Sequence, residues 1–150
     1  MRIIPISRED CIEMLQRVSI GRLACSMNDQ PYVVPVAFSY EPDCLYLFST
    51  FGKKIEWMRQ NPKVCLQADE IGTRSNWTSV VVTGTYLELR EPQYSDAREH
   101  AKKQLAHFSR FWQTPLAERR EQTSDLAIEL VFFRIDIAAI SGLRAVPEGG

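Results

Sequence analysis

The chain has 150 residues, 45% of them hydrophobic and 25% charged, and its 18 basic and 19 acidic side chains leave a formal net charge of −1. That length suits one globular domain spanning residues 1–150. The balanced charge speaks against duplex nucleic-acid binding, which needs a basic excess, and no apolar run nears the ~20 residues of a membrane-spanning helix.

The first six residues are too short an apolar stretch for a secretory leader before Ser7-Arg8-Glu9-Asp10, so a cytoplasmic location is expected. Ser7 can cap a helix over Arg8–Val18, with Cys11, Ile12, Leu15 and Val18 as its apolar stripe. "IGRLACSMN" alternates as a half-buried strand and Asn28-Asp29-Gln30 turns the chain. "PYVVPVAFSY" is the second strand, where Pro35 points to an edge or a bulge. After the Glu41-Pro42-Asp43 turn, Cys44–Thr50 is the third strand. A short helix follows over Lys53–Gln60, stopped by Asn61-Pro62, because the residue before a proline is pushed out of the helical region. "KVCLQAD" and "WTSVVVTGTYLELR" are the fourth and fifth strands, with Gly84 marking a bend or bulge. Beyond Glu91-Pro92, Ser95 or Asp96 opens a helix whose apolar positions are Ala97, Ala101, Leu105 and Phe108, continued by Phe111-Trp112. Thr114-Pro115 ends it and Pro115 suits the start of another short helix. "LAIELVFFRIDIAAISG" is the last strand.

Six strands joined mostly by short turns leave too many edges for an open sheet. A mainly β architecture with α+β character is therefore expected, an antiparallel barrel flanked by helices. The four cysteines, Cys11, Cys25, Cys44 and Cys65, form no C-x-x-C pair and read as free thiols of a reducing compartment. His100 and His107 are too few and too far apart for a zinc site, so no protein-built metal centre is expected. No nucleophile elbow or G-x-G-x-x-G is present.

One stretch carries chemistry. In "FSTFGKKIEWMRQNP" two hydroxyls, a glycine and two ammonium groups gather where a strand meets a helix. Exposed helix-start N–H groups, hydroxyl donors and positive charge together suit an anion such as a phosphate.

With these elements in place the chain resembles the flavin-binding split barrels related to pyridoxamine 5'-phosphate oxidase, most closely the branch that includes nitroimidazole-resistance proteins. The resemblance runs through "GRLACSMNDQPYVVPVAFSYE", "LYLFSTFGKKIEWMRQNPKVCLQ", "WTSVVVTGTYLEL" and "FFRIDIAAISG". Its most specific element is an aromatic-Ser/Thr strand end followed by Lys53 and Lys54, eight and seven positions before Asn61. The resemblance implies a six-stranded split barrel that binds FMN. Lys54 would be the main ammonium contact to the FMN phosphate and Lys53 a secondary one. Phe48 closes the strand, and Ser49 and Thr50 would donate hydroxyl hydrogen bonds. Val34, Pro35, Val36 and Ala37 would line the ring and ribityl chain with backbone groups. Ser79 stands where the oxidases place an amide near the pyrimidine edge, and Trp77 would flank the ring. Two departures speak against vitamin B6 oxidation. Val34 replaces an arginine, and "SGLRAVPEGG" lacks the Trp- and Arg-containing end that grips pyridoxal phosphate.

The implied function is an oxidoreductase passing a hydride between NAD(P)H and a small-molecule acceptor. The alternative is a non-catalytic flavin- or haem-binding module for storage, sensing or sequestration. A barrel this small is too shallow to enclose a flavin alone, so a homodimer with clefts built from two chains is expected.

Overall fold

The computed structural model describes residues 1–108 and 130–148. Seven strands form one antiparallel sheet: β1 (Arg2–Pro5), β2 (Ile20–Met27), β3 (Gln30–Glu41), β4 (Cys44–Thr50), β5 (Lys63–Thr73), β6 (Asn76–Glu88) and β7 (Leu130–Val146). Their order is β1-β7-β4-β3-β2-β5-β6, and an added β6–β7 pairing closes β2–β7 into a six-stranded ring. β1 lies outside the ring, paired with the end of β7 from Arg2↔Val146 to Pro5↔Leu143. The expected six-stranded antiparallel barrel is thus present, with a seventh strand laid against it.

The helices plug the ring. α1 (Arg8–Arg17) is capped by Ser7, whose Oγ accepts from the Asp10 N–H at 3.1 Å. It buries Cys11, Met14 and Leu15 at the end of the barrel where β2 begins. Met14, not Ile12, shares the buried face, because i, i+3 and i+4 coincide on a helix. Gly142 permits the approach: a Cβ there would stand 2.7 Å from Cys11 Sγ. α2 (Lys53–Gln60) enters at the other end, where Asn61 Nδ2 donates to the Ser26 carbonyl at 3.1 Å, and it buries Ile55 and Met58. These side chains join Leu23, Phe38, Leu47, Leu66, Val82 and Phe133 in the main core. α3 (Ser95–Gln104) and a 3₁₀ turn (Ala106–Phe108) pack outside, placing Ala101, Leu105 and Phe108 on Tyr46 and Phe132. β4 is therefore covered on both faces, which explains its unbroken apolar run. The expected features at Phe111, Trp112, Thr114, Pro115 and residues 126–129 lie outside the described residues.

Local chemistry sets the connections. Asn28 and Asp29 both have positive φ, at 50° and 65°, in the two-residue β2–β3 turn. At Gly84 the β6–β7 register shifts, and an added Cβ would stand within 2.8 Å of Ile135 Cγ2. β5 runs on to Thr73, past the expected end at Asp69; its last residues are exposed and pair with β6. Among the described residues no helix is long and apolar enough to cross a membrane.

Glu88, at the end of β6, ties α2 to the barrel. Arg59 donates to both of its oxygens at 2.8 and 3.0 Å, Tyr86 Oη at 2.6 Å and Arg90 Nε at 2.5 Å. Burial pushes this carboxyl up, but hydrogen bonds from Arg59, Tyr86 and Arg90 outweigh it and hold it at about 2. A pKa lower in the folded than in the unfolded chain contributes stability above the unfolded value, and that stability is lost as pH falls through the folded one. Stability should therefore decline between pH 4.5 and about 2. In Glu88→Gln, urea midpoints measured across that window should show a shallower acid slope; an unchanged slope would assign the acid sensitivity elsewhere.

Candidate functional site

The ring is split between β3 and β4. Their pairing runs only from Glu41↔Cys44 to Phe38↔Leu47. Beyond that point β3 continues against β2 alone and β4 against β7 alone. Among the described residues, therefore, two strand edges without strand partners face a gap. Pro35 sits on such an edge, where its missing N–H costs no ladder bond. The gap holds a cavity of about 580 Å³. Pro35, Val36 and Ala37 line one side, Phe48, Ser49 and Thr50 the other, and Lys54 also lines it. Ile20, Phe108 and Leu130 complete the wall.

The polar end of this cavity is built by the β4–α2 junction. Ser49 is the one buried polar residue among those described, 6% exposed, and its Oγ donates to the Thr50 carbonyl at 2.8 Å. α2 begins at Gly52 without a side-chain cap. Glu56 N–H donates to the Gly52 carbonyl at 3.0 Å as the first helical bond, so the preceding N–H groups point out of the helix start unclaimed by it. Lys54 is half-buried, and among the described residues its ammonium has no carboxylate within ion-pair distance. Burial lowers its pKa, with the nearby Cys25 thiol acting in the opposite direction. An ammonium group, a buried hydroxyl and a helix start make a candidate anion seat, with no carboxylate among the described residues to neutralise it.

Four of the residues singled out in the sequence lie elsewhere. Val34, opposite Leu23, packs against the main core. Lys53 turns away, its Nζ 5.1 Å from the Tyr32 ring centre and 4.9 Å from that of Trp57. Successive helical residues diverge by about 100°, so two adjacent lysines cannot share one cavity easily. Ser79 accepts from Gln67 Nε2 at 3.0 Å, and Gln67 also donates to Asp69 Oδ2 at 2.9 Å. Arg22 donates to the same Asp69 oxygen at 2.9 Å. This polar chain begins beside the cavity, since Arg22 is the cross-strand partner of Pro35. Trp77 lies farther along β6, opposite Ile71 and Ala145. The three wall residues that sequence reading missed had no local signal. Ile20 enters through its pairing with Ala37 and Leu130 through its pairing with Thr50. Phe108 was visible only as part of an apolar helix stripe.

A closed six-stranded antiparallel barrel, split along one seam, defines the class of split barrels, and the cluster of Lys54, Ser49 and the start of α2 lies at the end of that seam. The family model of pyridoxamine 5'-phosphate oxidase matches residues 7–144, and the chain belongs to that family. An uncharacterised protein of Rhizobium meliloti (strain 1021) is 38% identical over 141 residues, 93% of each chain. A crystal structure from Mesorhizobium loti, described as an FAD-binding protein, is 40% identical with a TM-score of 0.80, covering 97% of this chain and 99% of that one. A candidate 5-nitroimidazole antibiotic resistance protein from Bacteroides thetaiotaomicron shares the fold, at 19% identity and a TM-score of 0.68, over 95% of this chain and 87% of that one.

Proposed function

We propose that the chain binds a flavin through its FMN moiety and works as an oxidoreductase. The observation that carries this reading is the ammonium of Lys54, without a carboxylate partner among the described residues, beside the buried Ser49 in a gap walled by Pro35, Val36, Ala37 and Phe48. Lys54, the Ser49 and Thr50 hydroxyls and the first N–H groups of α2 would hold the ribityl phosphate, the Ser49 hydroxyl exchanging its bond to the Thr50 carbonyl for one to the ligand. The edges of β3 and β4 along the gap would offer backbone groups to the ribityl chain. A bound flavin supplies hydride acceptance and donation, and the residues here orient it and shield its phosphate end from water. The similarity to the M. loti FAD-binding protein supports a flavin, and FMN and FAD share the phosphate that this seat addresses.

The same reading includes a homodimer in a cytoplasmic setting. Ile20 and Val33, 52% and 61% exposed, leave apolar surface around the gap for a second copy to cover. NAD(P)H and a small acceptor are the proposed redox partners. Pyridoxamine phosphate is not, because Val34 brings no charge where the oxidases carry an arginine.

An absorbance spectrum of the purified protein tests the binding. Flavin bands, with bleaching by NADH or NADPH in the absence of oxygen, are the expected result. A colourless protein that ignores added FMN and FAD would overturn the flavin reading. A flavin that neither nicotinamide reduces would leave binding and remove the activity. Sedimentation of a flavin-loaded monomer at micromolar concentration would remove the dimer.

A further inference from the structure

A second cavity, of about 390 Å³, adjoins the first and is lined by Arg59, Arg90 and Arg98 with Glu88 and Glu91. Leu130 walls both cavities. Ser49 pairs with Val131 and Thr50 with Leu130, so the second cavity begins one strand away from the anion seat, a spacing of about 4.8 Å. Phe51 follows Thr50 directly, is 45% exposed and lies 5.0 Å from the guanidinium of Arg59.

We propose that this arginine-lined cavity receives the second phosphate and the adenosine of FAD, whose FMN half occupies the gap between β3 and β4; the proposal rests on the flavin reading above. Among the described residues three guanidiniums face two carboxylates there, and one of these, Glu88, accepts from Arg59, Arg90 and Tyr86. Arg90 commits its Nε to Glu88, while its terminal nitrogens donate to nothing among the described residues. Arg98 Nε stands 3.6 Å from the exposed Glu91, its guanidinium lies 4.9 Å from the Phe132 ring centre, its Nη2 reaches the Leu130 carbonyl at 3.4 Å, and Nη1 has no hydrogen-bond partner among the described residues. These spare donors suit a phosphate oxygen, which guanidinium groups recognise by charge-assisted hydrogen bonds. Phe51, exposed next to Thr50 of the first cavity and beside Arg59 of the second, offers an aromatic face on which adenine can stack. FMN ends at the first phosphate and reaches none of these groups.

Titration of the flavin-stripped protein with FMN and with FAD, read by flavin fluorescence, tests the assignment. Wild-type protein should bind FAD about tenfold or more tighter than FMN. Arg98→Ala, and separately Arg90→Ala on the more exposed side chain, should each weaken FAD about tenfold and leave FMN unchanged. Phe51→Ala should also cost FAD about tenfold, the order expected for loss of one stacked base. The unchanged FMN affinity certifies that each variant folds. Equal affinities for FMN and FAD in the wild type, or arginine variants that weaken both flavins alike or neither, would overturn the second site. Lys54→Ala separates the two proposals: weaker binding of both flavins keeps the first seat whatever the arginines do, no effect on either would remove that seat, and wild-type protein that binds neither flavin would remove the flavin reading itself.

Discussion

Lys54→Ala should weaken FMN binding roughly ten- to a hundredfold while leaving riboflavin affinity nearly unchanged. A hydrogen bond to a charged partner contributes roughly 1.5–3 kcal/mol, and each 1.4 kcal/mol or so is tenfold in affinity. The contrast with riboflavin carries the test, because riboflavin has the same ring and lacks the phosphate. A variant that disturbed the gap between β3 and β4 would lose both ligands together. Among the described residues Lys54 has no carboxylate partner, so removing it breaks no ion pair there. Lys53→Ala should have a smaller effect, since its ammonium lies over Tyr32 and Trp57. Parallel losses for FMN and riboflavin in Lys54→Ala, measured by fluorescence titration, would assign this lysine to the fold and not to the ligand.

Ile55→Ala should lower unfolding stability by roughly 2–5 kcal/mol, the range for truncating a fully buried aliphatic side chain in a core that cannot collapse around the loss. Ile55 is 0% exposed and belongs to the main core with Met58 three residues on. These two are the buried side chains of α2, so they hold the helix whose first turn forms the anion seat. Urea unfolding should show a lower midpoint with an unchanged slope. FMN should raise that midpoint in Ile55→Ala by less than in the wild type if the packing of Ile55 also fixes the Lys54 direction. A loss below about 1 kcal/mol would show that the barrel end repacks around the gap.

The elements around the site were legible because their signals are local. β4 and α2 match their expected bounds to the residue. A continuous apolar run, a glycine and an Asn-Pro leave little freedom within seventeen residues, and the lysine that lines the cavity was visible from the same stretch. β1 was not legible. Its four residues are mostly exposed, and its partner lies at the far end of the chain, from Leu143 to Val146. The last turn of β5 escaped for a related reason, since exposed residues such as Ile71, Gly72 and Thr73 lack the alternation that burial imposes. Lys53 was assigned beside Lys54 because sequence adjacency hides the angular step of a helix. Only the positions of Tyr32 and Trp57, brought together by folding, show where it goes. The cavity's remaining wall depends on strand pairings across large sequence separations, which no local pattern encodes.

The closure of the ring by its last strand has a kinetic consequence. β7 pairs with both β4 and β6, so until residues 130–146 are available those two strands each keep an open edge along much of their length. During synthesis the nascent chain must carry these edges past the point where every other barrel strand is complete. Local hairpins such as β2–β3 and β5–β6 can form early, but sealing them awaits contacts that span more than eighty residues between β4 and β7. Non-local pairing of this kind slows folding and prolongs the exposure of edges that recruit other chains. Refolding yield should therefore fall steeply with protein concentration, and a chain truncated before β7 should aggregate instead of populating a smaller barrel.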